Sequence, residues 1–280
     1  MLIAQITDIH LGFDPGNPSE VNRQRLDTIL QRLAGMTPLP DMLICTGDLT
    51  EYGDDASYKL LKEALTAAPC ETHLCIGNHD VRGKFLDIFP DTPTSDGFVQ
   101  YTIDKGAFVL VVLDTVEPGE HGGAFCDQRA AWLSATLDGC TDRPVVIALH
   151  HPPVQHGIEW MDAEPDAAWI KTLAGVLRGR SNIRAMLAGH VHRPFTTTFE
   201  NHLLAVTGSS APQVALELAP IDPSKPDDRP MIVSEEPGYS LHHWTGDGLV
   251  TFFQAAGNYP TLARFNTALQ PLVQSLVRRS

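Results

Sequence analysis

The sequence predicts an α/β fold, and three observations predict it. Apolar runs alternate with helical stripes from the start of the chain to about residue 76, and a second such region extends over residues 98–210. Five of the apolar runs also end in Asp, Asn or His side chains rather than in a plain turn.

In chain order, residues 2–7 read as a buried strand ending at Asp8, followed by a loop rich in Gly, Pro and Asn. Leu26, Ile29, Leu30 and Leu33 recur at the spacing of a buried helical stripe, which Pro38 and Pro40 close. Residues 41–46 form a second strand ending in Gly47-Asp48, and Asp54 or Asp55 caps a helix whose apolar face is Tyr58, Leu61 and Leu65. A third strand over 71–76 ends in Gly77-Asn78-His79-Asp80. Strand, helix, strand, helix, strand favours parallel pairing with right-handed crossovers.

Beyond Asp80 the pattern loosens into a loop-rich stretch through Phe85, Phe89 and Pro93. Residues 98–103 and 107–113 form a hairpin, and Asp127 caps a helix carrying Ala130, Leu133 and Leu137. A strand over 145–149 leads into His150-His151. Ile170, Leu173, Ala174 and Leu177 mark a helix stopped at Gly179, and a strand over 183–188 leads into Gly189-His190-Val191-His192. A further hairpin turns at Glu200-Asn201.

Composition divides the chain into residues 1–210, which hold every ligand candidate, and residues 211–280, a lid or cap with a C-terminal extension in the same globular unit. Residues 211–238 are rich in proline and acid and read as a loop rather than a core element. A hairpin flanks Thr245-Gly246-Asp247-Gly248, and the tail from Pro260 spaces Leu262, Phe265, Leu269, Leu272 and Leu276 as a helix interrupted at Pro271.

With 43% hydrophobic and 19% charged residues, the 280-residue chain has the composition of an ordinary globular protein. No apolar run approaches the ~20 residues that span a bilayer, and no secretory signal is visible, so the expected location is the cytoplasm, with no membrane partner. The five cysteines lack zinc-type spacing and read as reduced packing residues. A formal charge of −14, from 20 basic and 34 acidic residues, excludes a nucleic-acid polymer as partner, since phosphate neutralisation needs clustered Lys and Arg. Small phosphorylated substrates remain compatible, because bound cations invert the local field.

Strand ends thus supply Asp8, His10, Asp48, Asn78, His79, His150, His151, His190 and His192, which an open α/β sheet gathers outside the carboxyl ends of its strands. Imidazole and carboxylate without thiolate suit manganese, zinc, iron or cobalt. The donors are too many for one ion and fill two sites if one carboxylate is shared. Two divalent ions facing two aspartates leave a net positive field, which attracts phosphate and acidifies water.

The series Asp8-x-His10, Gly47-Asp48, Gly77-Asn78-His79-Asp80, His150 and Gly189-His190-x-His192 resembles the calcineurin-like metallophosphoesterase superfamily in order and spacing across residues 2–210. The stretches Ile6-Thr7-Asp8-Ile9-His10, Leu149-His150-His151-Pro152-Pro153 and Gly189-His190-Val191-His192 are most similar to bacterial class III cyclic nucleotide phosphodiesterases and glycerophosphodiesterases. The resemblance implies a four-layer α/β/β/α sandwich of two mixed sheets and two divalent or mixed-valence transition metal ions (Mn, Fe, Zn or Co). It assigns one ion to Asp8, His10, Asp48 and His192 and the other to Asp48, Asn78, His150 and His190. His79 then contacts phosphate or protonates the leaving oxygen, with Asp80 as its orienting partner. Of the His150-His151 pair, the match falls on His150. It further implies a homo-oligomer built through the cap and C-terminal extension.

The implied activity is hydrolysis of a small phosphodiester, a 3′,5′-cyclic nucleotide or glycerophosphodiester, by a hydroxide held between the ions. A phosphomonoesterase or nucleotide pyrophosphatase could use the same metals, and a non-catalytic scaffold would be expected to have lost ligands that this chain keeps. One departure stands out: many relatives place an amide in the Leu49-Thr50-Glu51-Tyr52 segment, where Glu51 either repels a second phosphate charge or faces solvent. His121, His156, His202, His242 and His243 receive no ligand role. Trp160, Met161 and Trp169 read as core packing ahead of a substrate wall.

Overall fold

A computed structural model describes residues 1–277. In chain order its elements are β1 (Leu2–Ile6), α1 (Val21–Ala34), β2 (Met42–Thr46), α2 (Asp55–Ala64), β3 (Glu71–Cys75), α3 (Arg82–Ile88), β4 (Tyr101–Asp104), β5 (Val109–Val112), α4 (Asp127–Asp138), β6 (Val145–Ala148), α5 (Ala168–Leu177), β7 (Ile183–Ala188), β8 (Phe195–Phe199), β9 (His202–Val206), β10 (Gln213–Val214), β11 (Ile232–Val233), β12 (Gly238–Trp244), β13 (Leu249–Ala255) and α6 (Gln270–Val277).

Two mixed sheets form the centre. The first has the order β13-β12-β1-β2-β3, the second β4-β5-β6-β7-β9-β8. In the first, β1, β2 and β3 run parallel and β12 runs antiparallel to β1. In the second, β5, β6, β7 and β9 are parallel, with antiparallel β4 and β8 at the edges. The parallel strands β2, β5 and β6 are buried on both faces, as their unbroken apolar runs require, whereas β3 is buried only toward its carboxyl end.

Alternation along the second sheet explains the layering. Leu110, Val112, Val146, Ala148, Ala185 and Leu187 share a core with the first sheet and with Leu26, Ile29, Leu30, Tyr58 and Leu61 of α1 and α2. Val109, Val111, Val145, Ile147, Met186 and Ala188 point the other way, onto Leu133, Leu137, Leu173 and Leu177 of α4 and α5. Helices, sheet, sheet and helices therefore stack as the four-layer sandwich. The amphipathic stripes of α1 and α5 bury the residues their spacing singled out.

Several local expectations need correction. The stretch after Asp80 contains helix α3, organised by Phe85, which is buried edge-on against Tyr58 at 5.8 Å and stacked on Phe89 at 5.2 Å. Asp127 begins α4 without a side-chain cap bond, and Cys126 stands at the cap position. In the segment read as a loop outside the core, Ala211, Gln213, Val214 and Ala215 are buried, and β10 pairs with β11. Pro271 stands in the first turn of α6, where its missing N–H costs nothing, rather than breaking a longer helix. Residues 238–255 extend the first sheet, with β12 registered along β1 from Leu2–His243 to Gln5–Ser240.

Candidate metal centre

The carboxyl ends of β1, β2, β3, β6 and β7 deliver the strand-end residues to one edge. Asp8, His10, Asp48, His190 and His192 all adopt positive φ, between 48° and 71°, and make up five of the nine such non-glycine residues among those described. Each costs of order 1–3 kcal/mol, so the strain is concentrated where the chain turns sharply to aim a donor. Two glycines let the loops close. A Cβ at Gly77 would strike Asp48 Oδ1 and its backbone nitrogen, and one at Gly189 would strike Thr7 Oγ1 and Asp8.

Four overlapping groups have ligand atoms within 4.8 Å of one another: Asp8, His10 and His192; His10, Asp48 and His79; Asp8, Asp48 and His150; and His150, His151 and His190. Asn78 Oδ1 lies 3.2 Å from both His150 Nε2 and His151 Nε2. Asp48 Oδ2 lies 3.2 Å from His150 Nε2 and 3.7 Å from His10 Nε2, midway through the cluster. All seven candidate ligands and His79 thus gather here, joined by His151, which is as buried as His150.

The outer nitrogens decide what the inner ones can do. His10 Nδ1–H donates to Glu51 Oε2 at 2.7 Å, His192 Nδ1–H to the Pro212 carbonyl at 2.9 Å, His150 Nδ1–H to the Thr46 carbonyl at 2.8 Å, and His79 Nδ1–H to the Glu51 carbonyl at 2.9 Å. In the neutral ring each Nε2 is then a bare lone pair turned inward, the tautomer metal-binding histidines adopt. His10 Nε2 and His192 Nε2 stand 3.1 Å apart, and two lone pairs at that separation require a cation or proton between them. The donor set therefore fits transition metal ions.

Electrostatics tell the same story. Burial would raise the Asp48 carboxyl, but His150, His10 and His79 hold it well below the usual range. Burial would likewise lower His150, yet Asp48 and Asp8 push it up to about 9. His10 is also held above its ordinary value, its desolvation outweighed by Glu51, Asp48 and Asp8. Protons and metal ions compete for such lone pairs. His151 and His190 are driven well down, first by burial and then by neighbouring imidazoles, so they stay neutral donors.

Asp80 does not orient His79. Its carboxylate accepts from Gly77 N at 2.9 Å, Leu49 N at 3.1 Å and Tyr58 Oη at 3.0 Å, tying the β2 and β3 loops together. Burial, then Asp48, pushes its carboxyl up to about 6. Glu51 neither faces solvent nor stands toward a second phosphate alone: it fixes His10 through its side chain and His79 through its carbonyl. Sequence reasoning also passed over His121, whose Nδ1 lies 3.2 Å from Asn78 Nδ2 and whose ring lies 4.9 Å from His190. It sits in a loop, away from any strand end, and the only cue was the following Gly122-Gly123.

Comparison with known proteins agrees with this geometry. Residues 1–194 match the family model for calcineurin-like phosphoesterases. A protein named a probable glycerophosphodiester phosphodiesterase, from Arcobacter nitrofigilis, is 29% identical over 265 residues, covering 92% of this chain and 94% of its own length. A probable cyclic nucleotide phosphodiesterase from Rhodopseudomonas palustris is 31% identical, covering 78% and 81%. The solved structure of a dimetal phosphatase from Danio rerio superposes with a TM-score of 0.67 at 15% identity, covering 92% of this chain and 96% of that one. Converging strand ends, inward imidazole lone pairs and a family match over more than half the chain lead to one statement: this protein belongs to the calcineurin-like phosphoesterase family.

Proposed function

We propose that the protein is a metal-dependent phosphodiesterase that hydrolyses small phosphodiesters at this centre, with two ions drawn from Mn, Fe, Zn or Co. The observation that carries the reading is the set of inward Nε2 lone pairs around Asp48. Asp8, His10, Asp48 and His192 would hold one ion, and Asp48, Asn78, His150 and His190 the other, with His151 beside the second set. When bound, the ions supply positive charge for phosphoryl oxygens and acidify water to a nucleophile.

The chain's own residues do the rest. Asp48 is positioned between the two sets, its Oδ1 fixed by the His79 backbone N–H at 2.9 Å. Asp8 is held by the His190 backbone N–H, with 3.1 and 3.0 Å to its two oxygens. The His79 side chain is 31% exposed, more than that of His10 or His192, so it can reach a substrate oxygen. With Nδ1–H committed to the Glu51 carbonyl, it donates a proton from Nε2 only as an imidazolium.

The likeness to diesterases named for glycerophosphodiesters and cyclic nucleotides supports a small diester over a polymer. The proposal includes a homo-oligomer formed through the cap and C-terminal extension, in the latter of which Leu262, Phe265, Leu272 and Leu276 are exposed. The deciding experiment compares turnover of bis(p-nitrophenyl) phosphate and p-nitrophenyl phosphate by protein loaded with each metal. Preference for the diester, lost in Asp48→Ala and His150→Ala, is expected. Preference for the monoester, or turnover indifferent to those substitutions, would overturn the reading.

A further inference from the structure

Beside the cluster lies a cavity of about 70 Å³, bordered by His151 and His190 on the metal side and by His121, His156, Trp160 and Trp169 on the others. Gly123 keeps its wall thin: a Cβ there would come within 2.8 Å of Trp169 and 3.0 Å of His151.

His156 is the polar member that the centre does not use. Its side chain is 4% exposed, yet Nε2 has no hydrogen-bond partner among the described residues. The loop that carries the ring is held in place. Asp162 Oδ1 accepts from the His156 backbone N–H at 2.6 Å and the Gly157 backbone N–H at 3.1 Å, which pins the loop, and Phe195 lies 5.5 Å from the ring.

The tautomer follows from the neighbours. The Ile158 backbone N–H donates to His156 Nδ1 at 3.3 Å; Asp162 Oδ1 lies equally close to Nδ1, at 3.3 Å, but makes no hydrogen bond with the ring, so Nδ1 is the acceptor and Nε2 carries the hydrogen. Burial holds the ring below its ordinary value and hence neutral, although Asp162 and the Met161 carbonyl act in the opposite sense. The result is a fixed, desolvated N–H. A buried donor without an acceptor costs roughly 1–3 kcal/mol, and such groups in native proteins call for an explanation.

The size of the cavity limits what can answer it. At ~30 Å³ per water-sized group, it takes about two such groups, well short of the ~300–1,000 Å³ of pockets that enclose whole drug-sized ligands. That volume suits the tip of a short alcohol chain rather than a whole nucleobase.

We propose that His156 is a specificity-determining residue whose Nε2–H hydrogen-bonds an oxygen on a short, hydroxylated ester arm of the substrate, with Trp160 and Trp169 flanking the arm. This rests on the phosphodiesterase reading. It adds a selection rule: of two arms equal in size, the one presenting an oxygen acceptor binds better, because its isostere leaves the buried donor unpaired.

Two phosphates of matched shape, 2-hydroxyethyl phosphate and n-propyl phosphate, test it by titration calorimetry on the zinc-loaded full chain. The hydroxylated phosphate should bind the wild type about tenfold more tightly. In His156→Asn, whose amide keeps an acceptor near the Nδ1 position but loses the Nε2 donor, the two affinities should become equal. There the affinity for n-propyl phosphate should stay within about twofold of wild type, which shows the centre intact. His156→Gln restores a donor near Nε2 and should recover at least threefold preference, about the low end of a single hydrogen bond. Equal affinities in the wild type, a preference surviving His156→Asn, or no binding of either phosphate would each overturn the proposal. Because binding is read without turnover, hydrolysis of bis(p-nitrophenyl) phosphate by the same preparations shows separately whether the diesterase reading holds.

Discussion

Glu51 accepts from His10 through its carboxylate and from His79 through its carbonyl, so one residue sets the tautomer of two imidazoles. Partners of this kind raise ligand basicity, and losing one lowers metal affinity about 10- to 100-fold. Glu51→Ala should show a loss of that size in a competition titration against a metal chelator, with Glu51→Gln in between. His242 makes a different case. It is fully buried, donating from Nε2 to Gln5 Oε1 at 2.9 Å and accepting at Nδ1 from Thr251 Oγ1 at 2.8 Å, while His243 beside it is exposed. Desolvation pushes its imidazole down to about 3 from 6.5. The folded value lies below the unfolded one, so the unfolded chain binds the extra proton. Stability from this group is complete above pH 6.5 and is lost as pH falls toward 3. In His242→Gln, urea unfolding between those limits should lose about 1.4 kcal/mol per pH unit of acid sensitivity relative to wild type. The candidate ligands were legible because strand ends announce themselves by period. Glu51 and the carbonyls of Pro212 and Thr46 were not, because a backbone oxygen has no letter and its use is settled by tertiary approach.

Helix α3 shows the same limit one level up. Gly83 lowers its helix propensity and its seven residues are too few to show a stripe, so only the packing of Phe85 on Tyr58 and Phe89 reveals why it forms. Phe85→Ala should cost about 3–5 kcal/mol, read as a lower urea midpoint with an unchanged slope. Helices α1, α2 and α5 were legible from their stripes, and Asp54 caps α2 by accepting from the Ala56 and Ser57 backbone N–H groups. The Glu200-Asn201 turn was legible too, both residues having the positive φ that a tight hairpin demands.

Across the whole molecule, alternation foretold two strand-rich halves, but the pairing of β12 with β1 joins nearly opposite ends of the sequence and leaves no local trace. The strand covers the edge of β1, and Trp244 from it packs on Phe108 at 5.1 Å. A chain cut after residue 210 would bare that edge and lose the partner of Phe108. We expect it to be recovered as aggregate, or to lack a cooperative thermal transition by circular dichroism, while the full chain shows one.

Between the sheets, the Gln5 amide spends its bonding capacity on four separate segments of the chain. It donates to Thr46 Oγ1 at 2.8 Å and the Ala188 carbonyl at 3.0 Å, and accepts from Thr207 Oγ1 at 2.8 Å and His242 Nε2 at 2.9 Å. Asp8 and Asp48 descend from one sheet and His150, His190 and His192 from the other. A side chain bolted to both therefore sets the gauge of the gap between them. Ions of different radius would then meet a centre whose two sides are tied together, and we expect them to be sorted by fit rather than accommodated by breathing.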